Sequence, residues 1–112
     1  MPSVHDVTDA TFEKEVLQSN LPVVVDLWAD WCEPCRKLTP VIERIATTYD
    51  GRLKVCKMDV ATSPRIASQY HVMSIPTLLF VRDGQVVGQH TGGAPASELS
   101  RKIEGHLGLA LC

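Results

Sequence analysis

A buried strand that leads directly into a helix opened by two cysteines constrains the fold of this chain more than any other feature. Residues 23–29 are dense in β-branched and apolar types, which predicts a buried strand. A short turn carrying Trp31 follows, and Cys32 and Cys35 then open a helical pattern that extends to about Tyr49. We therefore expect the two cysteines to lie where a strand meets the N-terminus of a helix.

The position of Cys32 in the first turn of that helix favours its thiolate. Unsatisfied backbone N–H groups and the macrodipole at a helix N-terminus stabilise negative charge, and the thiolate is the reactive form of cysteine. Pro34 suits an early helical position because it has no N–H to lose and its φ is already helical. Two residues separate Cys32 from Cys35, so the pair lies on neighbouring turns. The pattern predicts a dithiol that opens and closes a disulfide.

Two other uses of the cysteines compete with this interpretation. Half a zinc site would need a second pair of ligands at suitable spacing, and the four histidines are dispersed. A disulfide framework is typical of short secreted chains, whereas Cys56 and Cys112 are scattered here. We expect Cys56 to be a small buried apolar residue of its strand. Cys112 is expected to belong to a frayed end, with a regulatory or dimer-forming thiol as the alternative.

Length and composition fit one globular domain that spans residues 1–112. The chain is 45% hydrophobic and 21% charged, which is ordinary for such a domain. Eleven basic and thirteen acidic residues give a net charge of −2 without a basic run, so nucleic acid is not an expected partner. The longest apolar runs hold about five residues, against about 20 for a membrane helix, and no secretion signal opens the chain. We expect a protein that neither enters membranes nor is secreted.

The other elements follow from local patterns of apolar, capping and turn residues. Thr8 or Asp9 is suited to cap a first helix, Ser63 to cap a short one, and Asp83-Gly84 predicts a hairpin turn. Pro40 lies inside the long helix, where it is expected to cause a kink. The remaining predicted strands span residues 4–7, 53–59, 77–81 and 85–90, and the remaining predicted helices span about 8–19, 64–70 and 95–107.

The order of these elements predicts an α/β fold with a mixed sheet of about five strands flanked by about four helices. The first half, βαβαβ, requires right-handed crossovers and parallel strands, and the hairpin adds antiparallel ones. The Trp-Cys-x-Pro-Cys motif between a strand containing Asp26 and a helix resembles the thioredoxin family. The resemblance covers essentially the whole chain and implies the thioredoxin fold. Glu33 stands where the family usually has Gly, and Leu27 where it usually has Phe.

The resemblance implies a role for each of four residues. Cys32 corresponds to the partly exposed nucleophile that forms a mixed disulfide with a substrate, and Cys35 to the thiol that resolves it. Asp26 corresponds to the acid that takes the proton of Cys35. Its apolar neighbours also predict burial and a raised pKa, against the alternative of a strand position that reaches solvent. Lys57 matches the family's buried basic neighbour of that acid, although the sequence alone fits an exposed lysine equally well.

The resemblance also implies a docking surface around the cysteines. The Ile75-Pro76 bond is expected to be cis and to place the Ile75 backbone where a substrate segment can pair with it. Trp28 is expected beneath the site. Glu33 adds a carboxylate beside the nucleophile, so we expect a slightly less acidic Cys32 and weaker docking of acidic partners. The residues predicted to form the docking surface are Trp31, Glu33, Pro34, Ile75, Pro76 and Gly92.

The function implied is reduction of disulfides in partner proteins by a monomer without a bound cofactor or metal. Thioredoxin reductase would recharge it, in the cytoplasm or in another reducing compartment such as a plastid. One alternative is a thioredoxin-like oxidase or isomerase, but these usually carry His before the second cysteine, where this chain has Pro34. Another is a binding subunit whose dithiol is incidental, and such a subunit would keep its partner after both cysteines were replaced.

Overall fold

The computed structural model describes residues 4–109 and confirms the α/β class, with a five-stranded mixed sheet between helices. A single π-helix, Glu13–Leu17, precedes the central strand. The strands are β1 (His5–Asp6), β2 (Val23–Trp28), β3 (Lys54–Asp59), β4 (Thr77–Arg82) and β5 (Gln85–Thr91). The α-helices are α1 (Glu33–Thr48), α2 (Pro64–Gln69) and α3 (Ala96–Leu107).

The sheet has the strand order β1-β3-β2-β4-β5, which places β2 at its centre. β1 and β2 run parallel to β3, and β4 runs antiparallel to both β2 and β5. The predicted hairpin turn is confirmed, because Asp83 and Gly84 both have positive φ, at 53° and 78°. Positive φ at both central positions is the geometry that matches the twist of a two-residue hairpin.

β2 sends alternate side chains to the two faces of the sheet. Val24 belongs to the core cluster beneath α1 and α3, whereas Val25 belongs to the cluster beneath the π-helix and α2. Asp26 is two residues after Val24, so its carboxyl lies on the α1 side of the sheet. The central strand thus carries a carboxyl to the face that also supports the cysteine-bearing helix.

α1 packs through the apolar stripe that the sequence predicts. Leu38, Ile42 and Ile45 are buried along the helix, and Tyr49 is buried at its C-cap. The helix runs as one element through Pro40. Cys32 is its N-cap residue, with extended backbone angles of φ −91° and ψ 107°, so the first cysteine sits immediately before the helix.

The first helix is much shorter than expected. Instead of spanning about 8–19, it is the five-residue π-helix with Phe12 as its N-cap. Phe12 and Val16 are buried as predicted, and Leu17 is half-buried. Neither Thr8 nor Asp9 caps this helix, since the segment before Phe12 forms turns.

Asp9 instead caps α2, which lies 56 residues further along the chain. Its two carboxylate oxygens accept hydrogen bonds from the backbone N–H groups of Arg65, at 2.9 Å, and Ile66, at 3.0 Å. The predicted cap residue Ser63 occupies the N-cap position but makes no side-chain capping bond. Its hydroxyl accepts a hydrogen bond from the Asp9 N–H at 3.2 Å. The acceptor for the first N–H groups of α2 is therefore the distant Asp9 carboxylate and not the side chain of the adjacent Ser63.

Candidate active site

The two cysteines form a disulfide where β2 gives way to α1. A turn closed by the Cys32 N–H and the Ala29 carbonyl, 3.1 Å apart, leads from the strand to the cysteine. The Cα atoms of Cys32 and Cys35 are 5.3 Å apart across the disulfide. The Cys35 N–H donates a hydrogen bond to the Cys32 sulfur at 3.3 Å. A backbone donor at the helix N-terminus thus points at the Cys32 sulfur, an arrangement that favours negative charge on that atom.

Both cysteines are more enclosed than the resemblance implied. Cys32 is only 6% exposed, rather than partly exposed, and Cys35 is 1% exposed. The two cysteines pack with the buried Ala29, and Val60 and Ile75 cover the same cluster. Only a small part of Cys32 is therefore open to solvent.

The loop before β4 lies against the disulfide and is held by short hydrogen bonds. The Ile75–Pro76 peptide bond is cis, as expected. The Thr77 hydroxyl donates to the Ser74 carbonyl at 2.7 Å, and the Gly92 N–H donates to the Pro76 carbonyl at 2.8 Å. Gly92 has a φ of 93°, a conformation that favours glycine. Gly92 is thereby brought beside the Ile75-Pro76 loop.

The six residues predicted to form the docking surface differ in how much of each is exposed to solvent. Trp31 is 71% exposed, and Glu33 and Pro34 are also exposed. Ile75 and Gly92 are half-buried. The Pro76 side chain is buried, so it shapes the loop and is not part of the exposed face.

An apolar groove of about 270 Å³ adjoins this surface, and only Trp31 and Ile75 of its lining were predicted from the sequence. Met73 is 93% exposed at its rim, the largest exposed fraction among the large apolar side chains described. The only local signal was an apolar pair preceding the Ile75-Pro76 loop. The groove is lined by Trp31, Val60, Ala67, Val72, Met73, Ser74 and Ile75.

Asp26 is buried beneath α1, as its apolar neighbours predicted. It is 4% exposed, and its Oδ1 has no hydrogen-bond partner among the described residues. Burial raises the pKa of the Asp26 carboxyl from 3.8 to about 7, and the positive charge of Lys57 opposes part of that shift. The carboxyl borders a crevice of about 100 Å³, lined by Val4, Asp26, Trp28, Thr39, Ile42, Glu43 and Lys57.

Lys57 lies beside Asp26 but is not buried. The two residues are partners in the register of β2 and β3, so they share a face of the sheet. The Lys57 side chain is 38% exposed, and its ammonium lies 4.9 Å from the centre of the Trp28 ring and 3.9 Å from an Asp6 oxygen. An ammonium at the mouth of the crevice keeps its own hydration while it acts on the buried carboxyl.

Cys56 is buried, as expected, on the opposite face of the sheet from Asp26. It is fully enclosed in the cluster beneath the π-helix and α2. Burial raises the pKa of the Cys56 thiol to about 11, so it stays protonated at neutral pH. Cys112 lies outside the described residues.

The described residues contain neither a metal-binding cluster nor a membrane-spanning helix. Between residues 4 and 109, no cluster of three or more His, Cys, Asp or Glu side chains is arranged to hold a metal ion. None of the helices described is long and apolar enough to cross a membrane.

A reversible disulfide at a helix N-terminus, beside a cis-proline loop and above a buried carboxyl, defines a thiol–disulfide oxidoreductase. The thioredoxin family model matches residues 3–105. Thioredoxin 1 of Nostoc sp. is 47% identical over 107 residues, covering 96% of this chain and 100% of the relative. Thioredoxin 1 of Synechococcus elongatus is 48% identical over 101 residues, covering 90% of this chain and 94% of the relative. The chain belongs to the thioredoxin family.

Proposed function

We propose that this thioredoxin is a protein-disulfide reductase in which Cys32 is the nucleophile and Cys35 the resolving thiol. The observation that carries the assignment is the hydrogen bond from the Cys35 N–H to the Cys32 sulfur at the start of α1. In the dithiol form the same donor would stabilise a thiolate on Cys32 and not on Cys35. Cys32 also retains more exposure than Cys35, 6% against 1%.

The reaction runs in two exchange steps. The Cys32 thiolate attacks one sulfur of a substrate disulfide, which forms a mixed disulfide and releases the other substrate sulfur as a thiolate. Cys35 then loses its proton and attacks the Cys32 sulfur. This second step closes the Cys32–Cys35 disulfide and releases the remaining substrate thiolate, so two electrons pass from the protein to the substrate.

Asp26 is the proposed acceptor of the Cys35 proton. Its unpaired oxygen and its pKa of about 7 suit a group that exchanges protons near neutral pH. Thr39, whose hydroxyl donates to the Cys35 carbonyl at 3.3 Å, lines the same crevice as Asp26. The crevice is large enough for water, which would carry the proton between the two groups and onward to solvent. Lys57 is a positioning residue whose charge limits the rise of the Asp26 pKa.

Substrates are proposed to dock on the surface around Cys32. Trp31, Glu33 and Pro34 present exposed side chains around the sulfur. The Ile75 backbone offers hydrogen-bonding groups to an extended substrate segment. Gly92 leaves room beside that segment because it has no side chain. Pro76 contributes by holding the loop in shape.

The partners and location proposed are those of the family in general. Thioredoxin reductase would return electrons to the Cys32–Cys35 disulfide, and proteins with accessible disulfides would receive them, so the protein acts in electron transport. The protein would act as a monomer without a bound cofactor, in the cytoplasm or in another reducing compartment such as a plastid. A dithiol that must be recharged requires such a compartment.

The experiment that tests this function is reduction of insulin, combined with the redox potential of the Cys32–Cys35 pair in dithiothreitol buffers. We expect rapid reduction of insulin and a potential below that of the cytosolic glutathione pool. A much more oxidising potential would indicate an oxidase or isomerase instead. No turnover with both thiols free would indicate a binding subunit.

A further inference from the structure

Two unlike features lie close to Cys32. One is the apolar groove, whose rim carries the exposed side chains of Trp31 and Met73. The other is Glu33, the first residue of α1 and the next residue after the nucleophile. Trp31 and Glu33 bracket Cys32 in the sequence, so a chain segment seated over the sulfur lies within reach of both features.

The groove has the character of a pocket for one side chain. Its volume is about 270 Å³, and Val60, Ala67 and Val72 form its apolar wall. Met73 is 93% exposed, and a flexible thioether at the rim can adapt to apolar groups of different shape. Exposed apolar area of this kind beside a reactive sulfur favours contact with an apolar residue of the substrate.

Glu33 provides a charge that no neighbouring residue neutralises. Its side chain is exposed, and it forms no ion pair with any residue of 4–109. Lys37, one turn further along α1, has the spacing of an i, i+4 partner but does not pair with it. Arg36 is turned away, and its guanidinium donates to the Asp30 carbonyl at 2.9 Å.

We propose that this protein prefers substrate segments in which the target cysteine lies close to a large apolar residue and to a lysine or arginine. The apolar residue would fill the groove beside Met73, and the basic residue would pair with Glu33. The inference rests on the proposed reductase function and defines the substrate class of that same site. Glu33 is thereby a specificity-determining residue rather than a catalytic one.

The expected size of each preference follows from the kind of contact. An exposed ion pair changes an equilibrium by about two- to fivefold and weakens in added salt. Partial burial of a leucine side chain in place of alanine corresponds to about three- to tenfold. The apolar preference should therefore exceed the charge preference, and only the charge preference should depend on salt.

The test uses disulfide-linked homodimers of short peptides that differ at two positions near the cysteine. One position is leucine or alanine, and the other, tried on each side of the cysteine, is lysine or glutamate. Rate constants for reduction by the dithiol protein are compared for the wild type, Glu33→Gly, Glu33→Lys and Met73→Gln. Because a change in Cys32 reactivity acts on all the peptides alike, the ratio between two peptides isolates docking.

We expect the wild type to reduce at least one lysine dimer two- to fivefold faster than its glutamate counterpart. Glu33→Gly should remove that ratio, and Glu33→Lys should invert it. Met73→Gln should lower the leucine-to-alanine ratio and leave the charge ratio unchanged. Asp50→Asn, at the far end of α1, and Leu21→Gln, before the start of β2, are the matched controls and should change neither ratio.

The outcomes separate this inference from the function on which it rests. If the wild type reduces none of the dimers, the proposed reductase function is wrong. If it reduces all of them but the lysine-to-glutamate ratio is the same with and without Glu33, the charge preference is wrong. A leucine-to-alanine ratio that survives Met73→Gln would remove Met73 from the docking site.

Discussion

Two neighbouring residue pairs of β2 and β3 place a buried ionisable group in different surroundings on the two faces of the sheet. Asp26 pairs with Lys57, and Val25 pairs with Cys56, one position away. Asp26 and Cys56 are both buried ionisable groups. Asp26 borders a crevice with polar groups and has a pKa of about 7, whereas Cys56 lies in apolar packing with a pKa of about 11.

The difference teaches that burial alone does not make a group reactive. Asp26 is suited to the proposed proton exchange because Lys57 lines the same crevice and because its pKa lies near neutrality. Cys56 has no such route and stays in one protonation state. Since side chains alternate along a strand, a shift of one residue decides between the two environments.

The largest effect expected is loss of turnover when a thiol of the reactive pair is replaced. Cys35→Ser should abolish insulin reduction, because the mixed disulfide on Cys32 is then not resolved. Mass spectrometry should detect the trapped substrate adduct. Cys56→Ala, the control on the opposite face, should keep its activity. Full turnover by Cys35→Ser, or its loss in Cys56→Ala, would contradict the assignment of the thiols.

The second effect concerns the stability cost of the buried carboxyl. Between pH 3.8 and about 7 the folded protein keeps a proton on Asp26 that the unfolded chain has lost. Stability should therefore fall by about 1.4 kcal/mol per pH unit over this window, or roughly 4 kcal/mol in total. Asp26→Asn should remove this loss, so the variant should be the more stable protein at pH 8.

Urea unfolding of the oxidised proteins at pH 4 to 8 measures this difference, since the disulfide keeps both active-site cysteines from titrating. The gap between Asp26→Asn and the wild type should widen as pH rises and level off above pH 7. A gap that is constant with pH would show that Asp26 is not the group responsible.

The third effect tests whether water or a polar partner reaches Cys56 on the face of the sheet opposite Asp26. Cys56→Ser places a hydroxyl without a partner in apolar packing and should cost about 1–3 kcal/mol in the free energy of unfolding. Cys56→Ala is the matched control, because it removes the polar atom and leaves only a small cavity. Serine should be the worse replacement, although its size is closer to cysteine. Equal stabilities in urea unfolding would mean that water or a polar partner reaches Cys56.

The smallest effect expected is that of the exposed Glu33 carboxylate on the pKa of Cys32, in contrast to the large effect of the buried Asp26. The exposed Glu33 carboxylate, on the residue next to Cys32, should repel a Cys32 thiolate by roughly 0.5–1 kcal/mol because water screens most of the interaction. Glu33→Gly should therefore lower the pKa of Cys32 by less than one unit. Thiolate absorbance of the reduced protein as a function of pH measures it, with Asp50→Asn as the control. Identical titrations would remove Glu33 from the electrostatics of the nucleophile.

The features predicted correctly from the sequence are those specified by local patterns. The apolar run of β2, the stripe of α1 and the Asp83-Gly84 turn each identify their element without help from distant residues. The disulfide followed from spacing alone, and the burial of Asp26 followed from its apolar neighbours. Local signals were sufficient wherever the neighbours along the chain are also the neighbours in space.

The features missed depend on contacts between distant parts of the chain. Asp9 has the side chain of a local cap, but the helix that it caps is 56 residues away. Met73 resembles any loop residue until the fold brings Val60 and Trp31 alongside it. The partial exposure of Lys57 depends on how α1 and the segment before β1 leave the crevice open. No pattern within one element carries this information.

The cap that Asp9 places on α2 connects the segment before the first helix to the apolar groove. α2 carries Ala67, whose carbonyl accepts a hydrogen bond from the Val72 N–H at 2.8 Å, and both residues form the groove wall. The segment around Asp9 therefore acts as an anchor for a wall that it never touches. Loss of the Asp9 carboxylate would therefore be expected to loosen this wall, while the Cys32–Cys35 disulfide, which lies on other elements, keeps its position.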